Sequence, residues 1–520
     1  MNDSEITPQF NELKDLNDHH ALKAGILKDL ARTETVNQND ILKRLLNELE
    51  PLDFELLAFP EVKGLRAKLN DPKVSKEEAS NARKQFSKVK VSPKQYRILS
   101  IRNLLKVAQK NKWGLCKNHD FIYLYDGKFW SNIDSDAFQK FLGLAAEEMG
   151  VKWDHAQDYQ FIDMLYKQFL SSAYLPAPKI SKGKVLINLM NGTFEIDKDG
   201  FRLRDFDPAD FITYKLPFDY DPEANCPRFE AYLNRVLPDE ESQKVLAEYL
   251  GYVFIKNGSM ILKEEKALIL YGTGANGKSV FFEIVNALIG SENISNYSLQ
   301  SLTNDNGYYR AKLANRLVNY ASEINGSLEA SIFKQLVSGE PVEARLPYGE
   351  PFTLTEYAKL IFNCNELPKD VENSHAFFRR FLIIPFNQTI PESEQDKQLS
   401  FKIIDEELSG VFNWVLRGLR RLTEQNKFSQ CEAAREALEQ YKIESNSVRL
   451  FLDENGYKSS PTNYRLSKDL YIDYKIFCNE DGMKPFNKKN FNKQLKSMGF
   501  NAARINQGNV VYLEAVRVSL

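Results

Sequence analysis

The segment KALILYGTGANGKSVFFEIVNALIG, residues 266–290, constrains this chain more than any other stretch. A short apolar run at 267–271 stops at a glycine-rich turn, and the turn opens into a segment with apolar residues at helical spacing. Gly272, Gly277, Lys278 and Ser279 satisfy GxxxxGK[ST] in the strand–loop–helix setting that a phosphate-binding loop requires. Each residue type has a physical reason to be there. The glycines let the backbone curl so that successive N–H groups face phosphate oxygens, and the helix N-terminus adds the positive end of its dipole. Thr273, Gly274, Ala275, Asn276 and Val280 complete the loop. Lys278 is expected to neutralise the β- and γ-phosphates and the Ser279 hydroxyl to ligate Mg²⁺. ATP with Mg²⁺ is therefore the expected cofactor pair.

Residues 264–390 alternate strand-like and helical runs, and three further segments carry parts of a nucleotide site. In RLVNYASEIN the apolar run Leu317–Ala321 ends at Ser322 and Glu323. Glu323 is the candidate general base and the second metal ligand, because such enzymes place a carboxylate at a neighbouring strand end to polarise the attacking water. KLIFNCN, residues 359–365, ends in Asn365, the candidate for orienting that water; Asn363 lies on the same strand face and is the alternative. AFFRRFLIIPF, residues 376–386, sets two arginines ahead of an apolar strand. In a ring, an arginine at the subunit boundary reaches the neighbour's γ-phosphate. Arg380 is the first candidate for this finger and Arg379 the second. The catalytic candidates are thus Lys278, Glu323, Asn365 and Arg380.

A chain of 520 residues holds several domains, about three or four at roughly 150 residues each. Hydrophobic residues at 43% and charged residues at 27% are near the globular average and suggest neither wholesale disorder nor a membrane protein. No run approaches the ~18 apolar residues of a membrane span, and the start MNDSEITPQF lacks a signal-peptide pattern, so a cytoplasmic location is expected. The five cysteines form no CxxC pair and read as reduced thiols. A net charge of −2 conceals local asymmetry: eleven Lys/Arg against three acids from Lys63 to Arg97, and seven against one from Lys484 to Arg517. The first of these basic stretches reads as a solvated face before it reads as a DNA contact.

With these residues in place the chain resembles the superfamily 3 helicases, specifically the phage/plasmid primase C-terminal, poxvirus primase–helicase-like group. YLYDGKFW, INLMNGTFEID, PFDYDPEANCPRFEAYL, EYLGYVF, LILYGTGANGKSVFF, LANRLVNYASEI, FKQLVSGEPVEAR, KLIFNCNELP and FFRRFLIIPF follow that family in order over about residues 120–390. The resemblance implies an α/β fold: an AAA+-like P-loop ATPase core, an N-terminal helical and α+β region, and a C-terminal winged-helix domain. The expected division is a basic helical region at 1–100, an α+β helicase-associated domain at 101–240, the ATPase domain at 241–400, a helical connector at 401–445 and the winged helix at 446–520. It further implies a homo-oligomer, usually a hexamer, that moves on single-stranded DNA. A hairpin with its tip near Pro347–Pro351 would enter the central channel, with Lys334, Arg345 and Tyr348 as DNA contacts. Lys488, Lys489, Lys493 and Lys496 would lie on or near the recognition helix of the winged domain, NKKNFNKQLKSMG. One departure is Ser322-Glu323, where many relatives carry two adjacent acids.

No clustered catalytic acids or zinc-binding Cys/His set is present for primer synthesis, so a separate primase or polymerase is the expected partner. The expected function is an ATP-dependent DNA helicase acting on single-stranded and forked DNA for replication of a phage, plasmid or other mobile element. The competing class is an ATP-driven origin-binding or helicase-loading protein without unwinding activity. A small-molecule P-loop kinase is disfavoured by the chain length and the basic tail.

Overall fold

A computed structural model describes residues 36–118, 121–173, 183–197, 200–322, 324, 328–346, 349–368, 372, 374–483 and 485–515. The chain divides into two compact units: residues 1–181 with 203–215, and residues 182–202 with 216–520. In the first unit the helices Val36–Asn47, Pro93–Lys110, Ser135–Glu148 and Tyr159–Ser172 surround an apolar core that includes Leu45, Leu104, Phe138, Phe141, Leu165 and Phe169. SPKQ shows why one of these helices starts where it does: Ser92 caps it, Pro93 occupies its first turn, and Gln95 reaches back to the Ser92 N–H. A small antiparallel sheet, β1 (Leu115–Asn118), β2 (Phe121–Tyr125) and β3 (Trp130–Ile133), stands beside them, with the Trp130 indole donating to Pro208 O at 2.9 Å.

The second unit opens with β4 (Val185–Leu189) and β5 (Gly192–Asp197), flanked by β6 (Gly200–Arg204). The two-residue connection between them is Met190-Asn191. Its centre is a mixed α/β layer: β7 (Ala267–Tyr271), β8 (Ile294–Ser295), β9 (Val318–Ala321), β12 (Lys359–Cys364) and β13 (Phe381–Pro385) form one five-stranded parallel sheet in the order β13-β7-β12-β9-β8. These strands are apolar runs because both faces are covered by other elements. A separate antiparallel hairpin, β10 (Val342–Arg345) with β11 (Pro351–Leu354), lies between β9 and β12 in the chain.

The 101–240 stretch, expected as one domain, is instead split between the units. Packing explains this: the Phe194 ring of β5 meets Phe412, 6.3 Å between centroids, on the helix Leu408–Gln425. The expected 401–445 connector is likewise part of the second unit's core. Helix 408–425 buries Val411, Phe412, Val415, Leu419 and Leu422, and it lies so close to helix Glu240–Tyr252 that a Cβ on Gly418 would sit 2.3 Å from the Ala247 carbonyl carbon. Glu248, fully buried there, is satisfied by Arg421 and by the Ser429 N–H and hydroxyl, a charge that would be costly unpaired.

Residues 447–515 form an α/β element of helices Ser447–Glu454, Ser467–Glu480 and Lys488–Ser497 with an antiparallel sheet β14 (Tyr457–Leu466), β15 (Ala502–Ile505) and β16 (Gly508–Ala515), ordered β14-β16-β15. Its core is Phe451, Tyr474, Phe491, Leu495 and Val511, with Tyr474 and Phe491 stacked at 4.6 Å. No helix among the described residues is long and apolar enough to cross a membrane.

Candidate active site

The parallel sheet brings the ends of β7, β9, β12 and β13 to one edge, and at such an edge open α/β sheets bind their ligands. The glycine-rich loop leaves β7 there. Gly272 N–H donates to Cys364 O of β12 and Phe386 N–H to Tyr271 O, so the loop departs from a fixed register. A Cβ on Gly272 would lie 2.2 Å from the Asn276 amide and 2.5 Å from Phe386 O, and Gly274 and Gly277 have φ of +114° and +84°. The loop conformation therefore depends on glycine. Gly277 leads directly into helix Lys278–Ile289, whose buried Phe281, Ile284, Val285, Leu288 and Ile289 lock it onto the core.

Lys278 is 6% exposed, and its ammonium donates to Gly272 O, to Asn276 Oδ1 at 3.2 Å and to Asn365 Oδ1 at 3.3 Å. Burial lowers its pKa from the ordinary lysine value. Asn276, itself buried, also donates to Phe386 O at 3.0 Å, tying the lysine's surroundings to the end of β13. The structure thus brings Lys278 and Asn365 together. Asn363 is nearby on β12 and accepts the Tyr320 hydroxyl at 3.0 Å. Ser322, at the end of β9, faces the same cleft; Glu323 lies outside the described residues. Ser279 is exposed on the first helical turn and lines the cleft, as do Gly274–Gly277 and Val280; Thr273 is exposed on the loop.

This cleft measures about 1000 Å³. Its far walls were not apparent from sequence. Tyr232, on helix Pro227–Val236, donates to Gly277 O at 2.8 Å, and a Cβ on Gly277 would meet Val236 at 2.7 Å. Ile390 N–H donates to Ala275 O at 2.8 Å, fastening the segment after β13 to the loop. Arg228 and Arg235 on that helix line the cleft as well; Arg235 pairs with Glu394, another lining residue, and Arg228 with Glu406. Only the proline at the start of helix 227–236 signalled part of this wall. A single bound anion fits the donor set: curled backbone, one ammonium, one hydroxyl and amide side chains converge on an open space.

The arginine pair lies at the other end of the sheet, where Ala267 N–H donates to Arg380 O at 2.8 Å. Arg380 differs from its expected role. It is 7% exposed and its guanidinium is consumed by Ser338 Oγ at 2.8 Å, Ala376 O and Glu265 at 3.0 Å. Arg379 is the exposed member, held by the same Glu265 at 2.6 Å. Both arginines lie in the turn that closes helix His375–Phe378, Arg379 as its C-cap in helical conformation and Arg380 directly before β13, so the turn sends their side chains in different directions. Lys334 is on helix Ala330–Ser338 and pairs with Glu372 at 2.8 Å, so it does not project with the hairpin. Arg345 ends β10 and donates to Gly349 O at 2.8 Å across the hairpin neck; Tyr348 lies outside the described residues. Lys488, Lys489, Lys493 and Lys496 are all exposed on helix 488–497, opposite buried Phe491 and Leu495. Among the described residues no cluster of three His, Cys, Asp or Glu side chains suits a metal ion.

Comparison with known proteins adds a family context. Residues 103–238 match the family described as D5 N terminal like, and residues 270–380 match a family of unknown function, DUF5906. In Acanthamoeba polyphaga mimivirus, "Putative helicase L207/L206" is 24% identical over 253 residues, covering 46% of this chain and 26% of that protein. In Invertebrate iridescent virus 6, "Putative helicase 184R" is 26% identical over 340 residues, 56% of this chain and 34% of that protein. The chain is similar in sequence to helicase-like viral proteins. It spans about a quarter to a third of the length of these relatives. The apo structure of the NrS-1 C terminal region aligns with 79% of this chain and 98% of its own, at a TM-score of 0.45 and 14% identity.

Proposed function

We propose that this chain is an ATP-hydrolysing motor on DNA, a replicative helicase of the superfamily 3 kind with a P-loop core and a C-terminal winged helix. The observation that carries this reading is the buried Lys278 ammonium, inside a glycine-dependent loop, facing Asn365 from the neighbouring strand. A buried cation held by neutral oxygens is poised to exchange them for phosphate oxygens, a stronger charge-assisted contact. The glycine-rich loop and Lys278 would hold the phosphates. Ser279 and Glu323 would hold Mg²⁺, which supplies charge neutralisation between phosphate oxygens. Glu323 would take a proton from the attacking water, and Asn365 would orient it. Arg379, exposed at the opposite edge, would serve the neighbouring copy's site in a ring, with Arg380 as its buried anchor.

The DNA side of the proposal rests on exposed cations: the lysine face of helix 488–497 and the β10–β11 hairpin with Arg345. The names of the viral relatives favour the same reading. A separate primase or polymerase would supply primers. The deciding experiment measures ATP hydrolysis with Mg²⁺, with and without single-stranded DNA, together with strand separation on a fork. DNA-stimulated hydrolysis with unwinding is expected. Hydrolysis without unwinding would make the chain an origin-binding or loading ATPase, and failure to bind or cleave ATP would remove the motor reading.

A further inference from the structure

We propose that Asn363 is a second catalytic amide beside Asn365, a donor to the γ-phosphate or the attacking water, and that Tyr320 is the positioning residue that aims it. This rests on the nucleotide site proposed above and deepens it. Asn363 is the fifth residue of β12, and Asn365 is the first residue past its end, in the bend that follows Cys364. Both belong to the lining of the same cleft.

In each amide the oxygen is already taken. Lys278 donates to Asn365 Oδ1 at 3.3 Å, and Tyr320 donates to Asn363 Oδ1 at 3.0 Å. An amide whose oxygen is held presents its NH₂ as a donor, and no described residue accepts from either NH₂. Tyr320 has little freedom to do otherwise. It is fully buried on β9, in register with Ile361 of β12, and its ring meets Phe282 of helix 278–289 edge-on at 4.7 Å. The helix that begins at Lys278 therefore fixes the ring, the ring fixes the hydroxyl, and the hydroxyl fixes which end of Asn363 faces the cleft. Neutral amide donors suit this place. They stabilise developing negative charge without competing for the proton that a carboxylate must remove.

The test uses the full chain with Mg²⁺ and compares wild type, Asn363→Ala, Asn363→Asp and Tyr320→Phe. Fluorescent ADP and a fluorescent non-hydrolysable ATP analogue report binding, and DNA-stimulated turnover reports kcat. ADP affinity should stay within about twofold in every variant, as the diphosphate does not reach the amide. Removing one preorganised donor typically costs 10²–10³-fold in turnover, so Asn363→Ala should lose roughly 100-fold in kcat. Its preference for triphosphate over diphosphate should fall about tenfold, and Asn363→Asp should lose more on both measures. Tyr320→Phe keeps the ring and its packing, and should show the same split at about five- to tenfold. An Asn363→Ala protein that melts like wild type and keeps both kcat and the triphosphate preference overturns the proposal. Should the Asn363 variants fail to fold, an unchanged ratio and kcat in Tyr320→Phe overturn it instead. Failure of wild type to bind either nucleotide would sink the site reading as a whole. Wild-type binding and turnover with indifferent variants would sink this inference alone.

Discussion

Substituting the two adjacent arginines one at a time separates an anchor from an effector, because the structure gives them opposite surroundings. Arg380 is 7% exposed and satisfies Ser338, Ala376 O and Glu265. Removing one member of a buried ion pair typically costs 3–5 kcal/mol, since the partner is left uncompensated. Here Arg379 continues to neutralise Glu265 at 2.6 Å, so Arg380→Ala should sit near the lower end, about 3 kcal/mol. At roughly 2–4 °C per kcal/mol for units of this size, that lowers Tm by roughly 6–12 °C. The Arg379 side chain is 47% exposed, and its ion pair contributes ~1 kcal/mol or less. Arg379→Ala should melt within about 3 °C of wild type. Its defect should be in hydrolysis, about 10³-fold or more if the arginine serves a neighbouring phosphate. It cannot serve its own: β7 separates Arg380 O from the loop at Gly272, and five extended residues span about 16 Å. Mixing therefore supplies the assay. Lys278→Ala and Arg379→Ala proteins, each inactive alone, should hydrolyse ATP when combined, since one contributes the intact site and the other the arginine. Full activity of Arg379→Ala alone would refute the finger, and an Arg380→Ala protein melting within 2 °C of wild type would refute the burial argument.

Lys278→Ala should lose nucleotide binding by at least 100-fold in fluorescent-ADP titrations while melting near wild type, and retained affinity would show the loop to be misread. Because burial lowers the pKa of Lys278, phosphate affinity should decline on raising pH before an ordinary lysine titrates, and a flat alkaline profile would count against its contact with phosphate. Lys359, half-buried at the start of β12 against the Tyr252 ring and Asn257, has its pKa lowered by desolvation from 10.5 to about 8. The unfolded chain binds the extra proton between those values, so this site's destabilising effect is full below about pH 8 and is relieved as pH rises toward 10.5. Chemical denaturation should show stability rising from pH 8 to 9.5 in wild type relative to Lys359→Met; parallel curves would contradict the burial of a charge. Replacing Lys488, Lys489, Lys493 and Lys496 by alanine should weaken DNA binding and lower the salt slope by about one per lost phosphate contact, and an unchanged slope would make that helix a solvated face.

What was legible in the sequence was what depends on neighbours along the chain. The apolar run 267–271, the glycine turn and the helix after it follow one another because each pattern is local, and β9, β12 and β13 are similar short apolar runs. Helix 488–497 was readable for the same reason. What depends on distant partners was not. The amphipathic helix 408–425 announces a buried face without naming Ala247 and Leu246's helix as its cover, so it read as a connector. The hairpin of β4 and β5 joins the second unit through Phe194 and Phe412, residues that no local pattern links.

The two paired choices within the site have the same origin. Asn363 against Asn365, and Arg379 against Arg380, are choices between residues of one type, one or two positions apart, so residue type and spacing cannot separate them. For the arginines, the backbone bond from Ala267 to Arg380 O and the Ser338 hydroxyl decide which guanidinium turns inward. For the asparagines the structure makes no exclusive choice. Lys278 reaches one amide and Tyr320 the other, each from a different element, and both amides keep a donor for the cleft. A chemistry assigned to one asparagine by analogy with a strand end is then shared by two, which is why the double variant Asn363→Ala/Asn365→Ala should lose less than the product of the single losses if both hold the same phosphate or water. Losses that multiply would mean that the two amides act on different atoms.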